Sequence, residues 1–442
     1  MSDDNEKPRS WQGRLNTFQK TMLDWNSLHA YNAVHVARVP GVPDQQRLRS
    51  AIETAINARS LAGLTLSHSR GTYCYCGRGP TPEIKILECG KGLRESLAKE
   101  IEWNLNAPFN MAGPFSPFRF FVATGNGYFH LGIAYLHAVA DAESVVLLLR
   151  DSIGNFTGNQ EQVHPEIPRG GGAGQKNLLR YKPGIFLRKM AEFPSQLVNL
   201  RRSCRPMYRD ATDLSNGFVL FPVEPELLRR LVQASKSWGT TVNDVLLALL
   251  MKSCTPLAVL RAQTGRRTRI SVGCIVNARK DISGDDAARF GLFLGSFLIT
   301  HELPDSLSIR DLSTDIGGVT SRIKRKRLYL ATALELSVGR FMLSFFSTER
   351  RKKLYQKHYP LWGGLTNMNI NSLWLKAGAT EPADYIRAVS TGPVTPLVLS
   401  FTTSGQAANI GLSYRTTVFS PPDIERLKAC LLESLANLEA QS

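Results

Sequence analysis

Acidic residues are scarce in this chain. Only 37 Asp and Glu stand against 54 Lys and Arg in 442 residues, a formal charge of +17. That excess calls for an acidic partner: the phosphates of a nucleotide-containing cofactor, an acidic carrier protein, an anionic membrane surface or nucleic acid. Cysteine is sparse and odd in number, at seven, in a chain long enough to fold without covalent staples. The thiols are therefore expected to be reduced, as in the cytosol. Cys74-Tyr75-Cys76 puts two thiols on one face of a strand. No second Cys/His pair stands at ligand spacing, so no metal site is expected. No Gly-x-Ser-x-Gly elbow occurs, so no nucleophilic serine is advertised. The opening residues, Met1 to Pro8, are polar, and no secretory signal is expected. No uninterrupted apolar run reaches transmembrane length; the longest candidate, Leu328 to Phe346, contains Glu335 and Arg340. There is no internal repeat.

What is present is a globular composition, 43% hydrophobic and 21% charged. The length suggests two domains of roughly 200 residues each. Residues 1–15 are expected to be a disordered or loosely docked tail. Tyr31 to Val39 forms a strand, and Pro43 and Asp44 open a helix with an apolar stripe of Leu48, Ala51, Ile52, Ala55 and Ile56. A hairpin is predicted for 64–67 and 72–76, and an amphipathic helix for 93–105. A Pro/Gly-punctuated loop from Ala107 then enters a strand that turns at Gly125-Asn126-Gly127. Gly170-Gly171-Gly172-Ala173-Gly174 is the clearest linker signal. Residues 181–209 are basic, aromatic-bearing and partly amphipathic. They form either a segment lying on a membrane surface or a crossover helix with a solvated basic face. The second half repeats the α+β texture, with a buried helix opening at Thr241-Val242-Asn243-Asp244 and a strand ending at Ala278-Arg279-Lys280.

The organising stretch is Phe129 to Arg150. A strand runs into His137, and Asp141 follows four residues later, ahead of a helix. Asp141 is a good N-cap for that helix. His137 is either a loop histidine without a task or a general base: a neutral imidazole of pKa ~6.5 can take a proton from an alcohol or amine as it attacks a carbonyl. Without a nucleophilic serine, direct transfer to an acceptor is favoured over an acyl-enzyme.

His137-Ala138-Val139-Ala140-Asp141-Ala142 resembles the His-His-x-x-x-Asp-Gly motif of the chloramphenicol-acetyltransferase-like acyltransferases. These include nonribosomal peptide synthetase condensation domains, wax ester synthase/diacylglycerol acyltransferases and polyketide-associated acyltransferases. Pro108-Phe109-Asn110 through Arg119, the Thr241 to Ala248 helix opening, the Gly392-Pro393 region and the last helix are similar to further family segments, in order. The resemblance covers nearly the whole chain. It departs at Leu136, which replaces the first histidine, and at Ala142, which replaces the glycine.

The resemblance implies an α+β fold of two chloramphenicol-acetyltransferase-like subdomains in a V around a central tunnel. The N-terminal subdomain would span 1–175, a crossover linker 176–214, and the C-terminal subdomain 215–442. It implies that His137 is the catalytic base and that Asp141 is structural, pairing with an arginine of the second half; Arg279 is in about the right place for this, or is simply a solvated charge at a strand end. Asn243, Asp244 and Asn367 are candidate tunnel-lining groups, although Asn243 and Asp244 can equally cap a helix. The resemblance further implies no permanently bound cofactor, with coenzyme A or a phosphopantetheine thioester as the co-substrate. Expected partners are acyl-CoA or an acyl carrier protein, a small-molecule or lipid acceptor, and a peripheral membrane contact. A monomer in the cytoplasm or at the inner face of the membrane is expected, without nucleic acid. Two other readings remain: a non-catalytic condensation-like binding module, and a basic membrane- or nucleic-acid-binding protein.

Overall fold

The computed structural model describes residues 10–89, 92–158, 183–260, 266–281, 290–375 and 384–438. The Gly170–Gly174 linker and the 175/176 boundary lie outside the described residues. The first half comprises β1 (Trp11–Arg14), α1 (Thr17–Asn26), β2 (Asn32–Pro40), α2 (Gln45–Ala58), β3 (Leu64–Ser67), β4 (Thr72–Tyr75), β5 (Ile84–Leu87), α3 (Leu93–Asn106), β6 (Phe118–Thr124), β7 (Tyr128–Leu136) and α4 (Ala142–Thr157). After α5 (Pro183–Arg202) come β8 (Asn216–Val223), α6 (Pro225–Ser237), α7 (Val242–Leu260), β9 (Arg269–Asn277), β10 (Leu294–Glu302), α8 (Ile309–Arg325), α9 (Thr332–Leu343) and α10 (Thr348–His358). The chain ends with β11 (Gly363–Asn369), α11 (Asn371–Leu375), β12 (Tyr385–Val389), β13 (Leu397–Ser404), β14 (Ala407–Arg415) and α12 (Pro421–Ala436).

Local chemistry sets many of these boundaries. Asp44 caps α2 by accepting the Arg47 backbone N–H at 2.7 Å, and the stripe from Leu48 to Ile56 is buried. Asp141 caps α4, which ends at Gly158 in the left-handed region, φ 79°. The N-terminal expectation needs correction. Residues 10–15 do not form a loose tail: β1 pairs with β4, Trp11 stacks on Tyr75 at 5.0 Å, and Leu15 is buried. Aromatic packing holds a strand too short to show a period.

Two large sheets carry the fold. The C-terminal sheet has order β10-β9-β11-β13-β14-β8, and the N-terminal one β12-β2-β7-β6-β5. β12 comes from the second half of the chain yet completes the first sheet, pairing antiparallel with β2 from Tyr385↔Ala37 to Val389↔Ala33. A division by chain position alone therefore misses this exchange. The sheets meet closely at β12 and β14: a Cβ on Gly411 would lie 2.2 Å from the Arg387 carbonyl oxygen. Only glycine allows that approach.

The C-terminal core gathers around α7, in which every residue from Val245 to Met251 is essentially inaccessible. By length and composition α7 is apolar enough to cross a membrane, but 72% of that apolar window is buried inside the protein. A helix apolar on all sides is what a central core position requires.

Candidate active site

The site is built at the end of β7. His137 follows directly on this strand, and its backbone N–H donates to the Tyr31 carbonyl at 3.1 Å. The next turn is held by its neighbours: Gln19 Nε2 donates to the Ala138 carbonyl at 3.1 Å, and the Asp141 N–H donates to the Gly291 carbonyl at 2.8 Å. Leu136, at the position of the missing first histidine, is fully buried in the N-terminal core. Ala142 is the first residue of α4 and is not among the positive-φ residues, so an alanine fits there without strain.

The His137 ring is 7% exposed. Its Nδ1 lies 3.2 Å from the Ala140 carbonyl oxygen. A carbonyl only accepts, so Nδ1 carries the proton and Nε2 presents its lone pair. Tyr31 stacks on the ring at 5.5 Å and Tyr135 meets it edge-on at 5.8 Å. Burial pushes the ring down to about 4, against the opposing pull of the Ala140 carbonyl and Asp141. The imidazole is thus neutral at any ordinary working pH.

Asp141 and Arg279 meet as the resemblance implied. Arg279 Nη2 donates to both carboxylate oxygens, at 2.7 and 2.9 Å, across 138 residues of sequence. Both side chains are buried. The carboxylate also accepts the backbone N–H of Ser144 at 3.0 Å and of Phe293 at 3.1 Å. Ser144 Oγ accepts from the same Arg279 nitrogen at 2.6 Å and donates to the Gly291 carbonyl at 3.1 Å. One buried cluster therefore fastens the His137 turn and α4 to the end of β9 and to the segment before β10.

The other predicted residues do not touch His137. The Asp244 carboxylate is committed to its own helix and its neighbour: it accepts from the Thr241 N–H and hydroxyl, and from the Thr320 hydroxyl on α8 at 2.6 Å. This is the capping role, so the expectation of Asp244 as a tunnel-lining group is replaced. Asn243 Nδ2 donates to Cys274 Sγ on β9 at 3.2 Å. Asn367 is exposed on β11, two residues beyond Leu365, the register partner of Cys274. Asn243 and Asn367 thus share the helix-covered side of the C-terminal sheet, near the N-terminus of α7.

Sequence reasoning missed a buried polar column beside His137. His35 on β2 shares a hydrogen bond with the Tyr385 hydroxyl at 2.9 Å and meets Tyr135 edge-on at 5.7 Å. Burial, then the nearby Arg387 and His137, hold His35 well below the usual histidine range. Arg387 is buried, and its guanidinium donates to Thr402 Oγ1 at 2.8 Å and to the carbonyls of Phe401 and Thr366 at 3.0 and 3.1 Å. Burial draws this cation down to about 10. A lone arginine between Ile386 and Ala388, in an otherwise apolar strand, was the available signal. Among the described residues no cluster of three or more His, Cys, Asp or Glu side chains is arranged to hold a metal ion.

No family model matches the chain, and no curated protein matches it. Solved structures do. The condensation domain of the Monacolin K polyketide synthase MokA superposes with a TM-score of 0.66 at 11% identity, covering 97% of each chain. The trichothecene 15-O-acetyltransferase of Fusarium sporotrichioides gives 0.69 at 12% identity over 97% of this chain and 96% of that one. The cyclization-docking bidomain from Sorangium cellulosum gives 0.69 at 13% identity, covering 97% of this chain and 85% of the other. The chain therefore has the two-subdomain α+β architecture of the chloramphenicol-acetyltransferase-like fold.

Proposed function

We propose that the chain moves an acyl group from a thioester of coenzyme A or of a carrier-bound phosphopantetheine to a hydroxyl or amine acceptor, with His137 as the general base. The observation that carries the reading is the His137 turn itself. Its imidazole is fixed in the Nδ1–H tautomer and anchored across the two halves through Asp141 and Arg279. In the reaction, Nε2 takes the acceptor's proton as its oxygen or nitrogen bonds to the thioester carbonyl carbon. The C–S bond then breaks, and the imidazolium returns the proton to the departing thiolate.

A base buried to this extent is weak in the resting protein. The developing imidazolium must gain its stability from Asp141 nearby and from the oxyanion formed beside it. Condensation domains and an O-acetyltransferase among the structural neighbours support acyl transfer in general, although an epimerization domain shares the fold as well.

The burial of the ring together with Leu136 favours one alternative, a binding module of the same shape without turnover. Incubation with a panel of acyl thioesters, with and without alcohol and amine acceptors, separates the two. Acceptor-dependent release of free thiol supports transfer. Thioester binding without any thiol release refutes it.

A further inference from the structure

The positive charge is concentrated in two segments that the site does not use. Residues 183–209 carry six Lys and Arg against Glu192 alone, and residues 322–358 carry eleven against Glu335 and Glu349. Most of the net charge of the chain lies there. The structure brings the two segments together. Lys189 of α5 pairs with Glu335 of α9 at 2.9 Å, and Lys326 pairs with Glu192 at 3.8 Å.

The inner side of α9 is occupied. Arg340 pairs with Asp24 of α1, and Leu336 packs on the N-terminal core. Its outer side is apolar and bare: Val338, Phe341 and Met342 recur at helical spacing, and Phe345 continues the stripe past the helix end. Phe341 is 68% and Phe345 73% exposed. On α5, Leu187, Met190, Phe193, Leu197 and Val198 are exposed as well. Lys189, next to Met190 in α5, reaches Glu335 of α9, so the two helices that carry these stripes are joined by an ion pair.

Side chains this exposed project from the surface rather than line a groove, as an insertion into lipid requires. The same two segments carry exposed cations: Arg188, Arg201 and Arg202 on α5, and Arg325, Arg327 and Arg350 in the segments before and after α9. Projecting phenylalanines within a field of cations fit the boundary between anionic headgroups and acyl chains. We propose that the α5–α9 face docks on an anionic lipid bilayer, with Phe341 and Phe345 entering the acyl boundary and the surrounding arginines meeting the headgroups. This docking is independent of the acyl-transfer reading and is measured without any thioester.

The test is flotation of the full chain with vesicles of phosphatidylcholine alone or with about one-third phosphatidylglycerol. The expected result is at least about tenfold stronger binding to the anionic vesicles, lost between about 0.05 and about 0.5 M salt. Phe341→Ser/Phe345→Ser, which changes no charge, is expected to weaken binding by about tenfold or more. Arg188→Gln/Arg201→Gln/Arg202→Gln is expected to reduce the salt dependence, and Val42→Ser, at an exposed site elsewhere, to change nothing. Each variant is checked for an unchanged thermal melt, and either of the first two alone decides the matter. Equal binding to neutral vesicles, or wild-type binding by the phenylalanine variant, overturns the proposal. So does self-association through this face that the phenylalanine variant abolishes, or binding to an acidic carrier protein without binding to vesicles.

Discussion

Replacing Arg279 by alanine exposes the strength of the link between the halves. The change leaves Asp141 buried with its Ser144 and Phe293 backbone donors but without a counter-charge. Breaking a buried ion pair by removing one partner costs about 3–5 kcal/mol. In a chain of 442 residues the unfolding entropy scales so that 1 kcal/mol lowers Tm by roughly 1 °C, so a loss of about 3–5 °C is expected. Urea melts measure the free energy directly. Asp141→Asn keeps a capping oxygen and removes the charge, so Asp141→Asn/Arg279→Met is expected to be more stable than Arg279→Ala alone. The coupling energy of the corresponding cycle is expected to exceed about 1 kcal/mol. Because the same cluster fixes the turn carrying His137, Arg279→Ala should also lower turnover by about a hundredfold. A melt within about 1 °C of wild type, with a coupling near zero, refutes the assignment of this pair as the clasp.

Three further outcomes follow from the same geometry. The His137 ring is held at about 4 by burial, below its unfolded value near 6.5, so the unfolded chain binds a proton first and stability falls as pH drops from 6.5 to 4. At pH 5 this one group accounts for about 2 kcal/mol, so urea melts of His137→Gln at pH 7 and pH 5 should show that much less acid destabilisation than wild type; equal losses contradict it. Gly411→Ala drives a methyl into the Arg387 carbonyl where the sheets meet, and a stability loss of about 1–3 kcal/mol is expected, read by thermal or urea melts. Thr241→Ala removes the hydroxyl that donates to Asp244 and caps α7, with an expected loss of about 1 kcal/mol; no change in the urea midpoint counts against Asp244 as a capping group.

Most elements were legible because local rules governed them. The α2 stripe, the hairpins at 64–75 and 118–136, and the caps at Asp44 and Asp141 all write their periods or their hydrogen-bonding residues into the sequence. β12 was not legible as part of the first sheet, because its pairing of Val389 with Ala33 is a long-range choice that no local pattern records. β1 was too short to show alternation. The Asp141–Arg279 contact was reachable only through the family resemblance, since neither residue announces a partner 138 positions away. In sequence Asp244 reads equally as a lining group and a cap; the hydrogen bonds that Thr241 and Thr320 donate to its oxygens, and which make it a cap, come from the fold. The polar column of His35, Tyr385 and Arg387 stayed hidden because its members lie on different strands and converge only in the folded sheet.

The most direct measurement is single-turnover acyl transfer by wild type and His137→Ala, both verified as folded, using the thioester and acceptor pair that releases most thiol. Loss of general-base catalysis should slow the variant by about 10²–10⁴-fold while leaving thioester affinity within a few-fold. A variant that transfers the acyl group at the wild-type rate would contradict the assignment of His137 as the base.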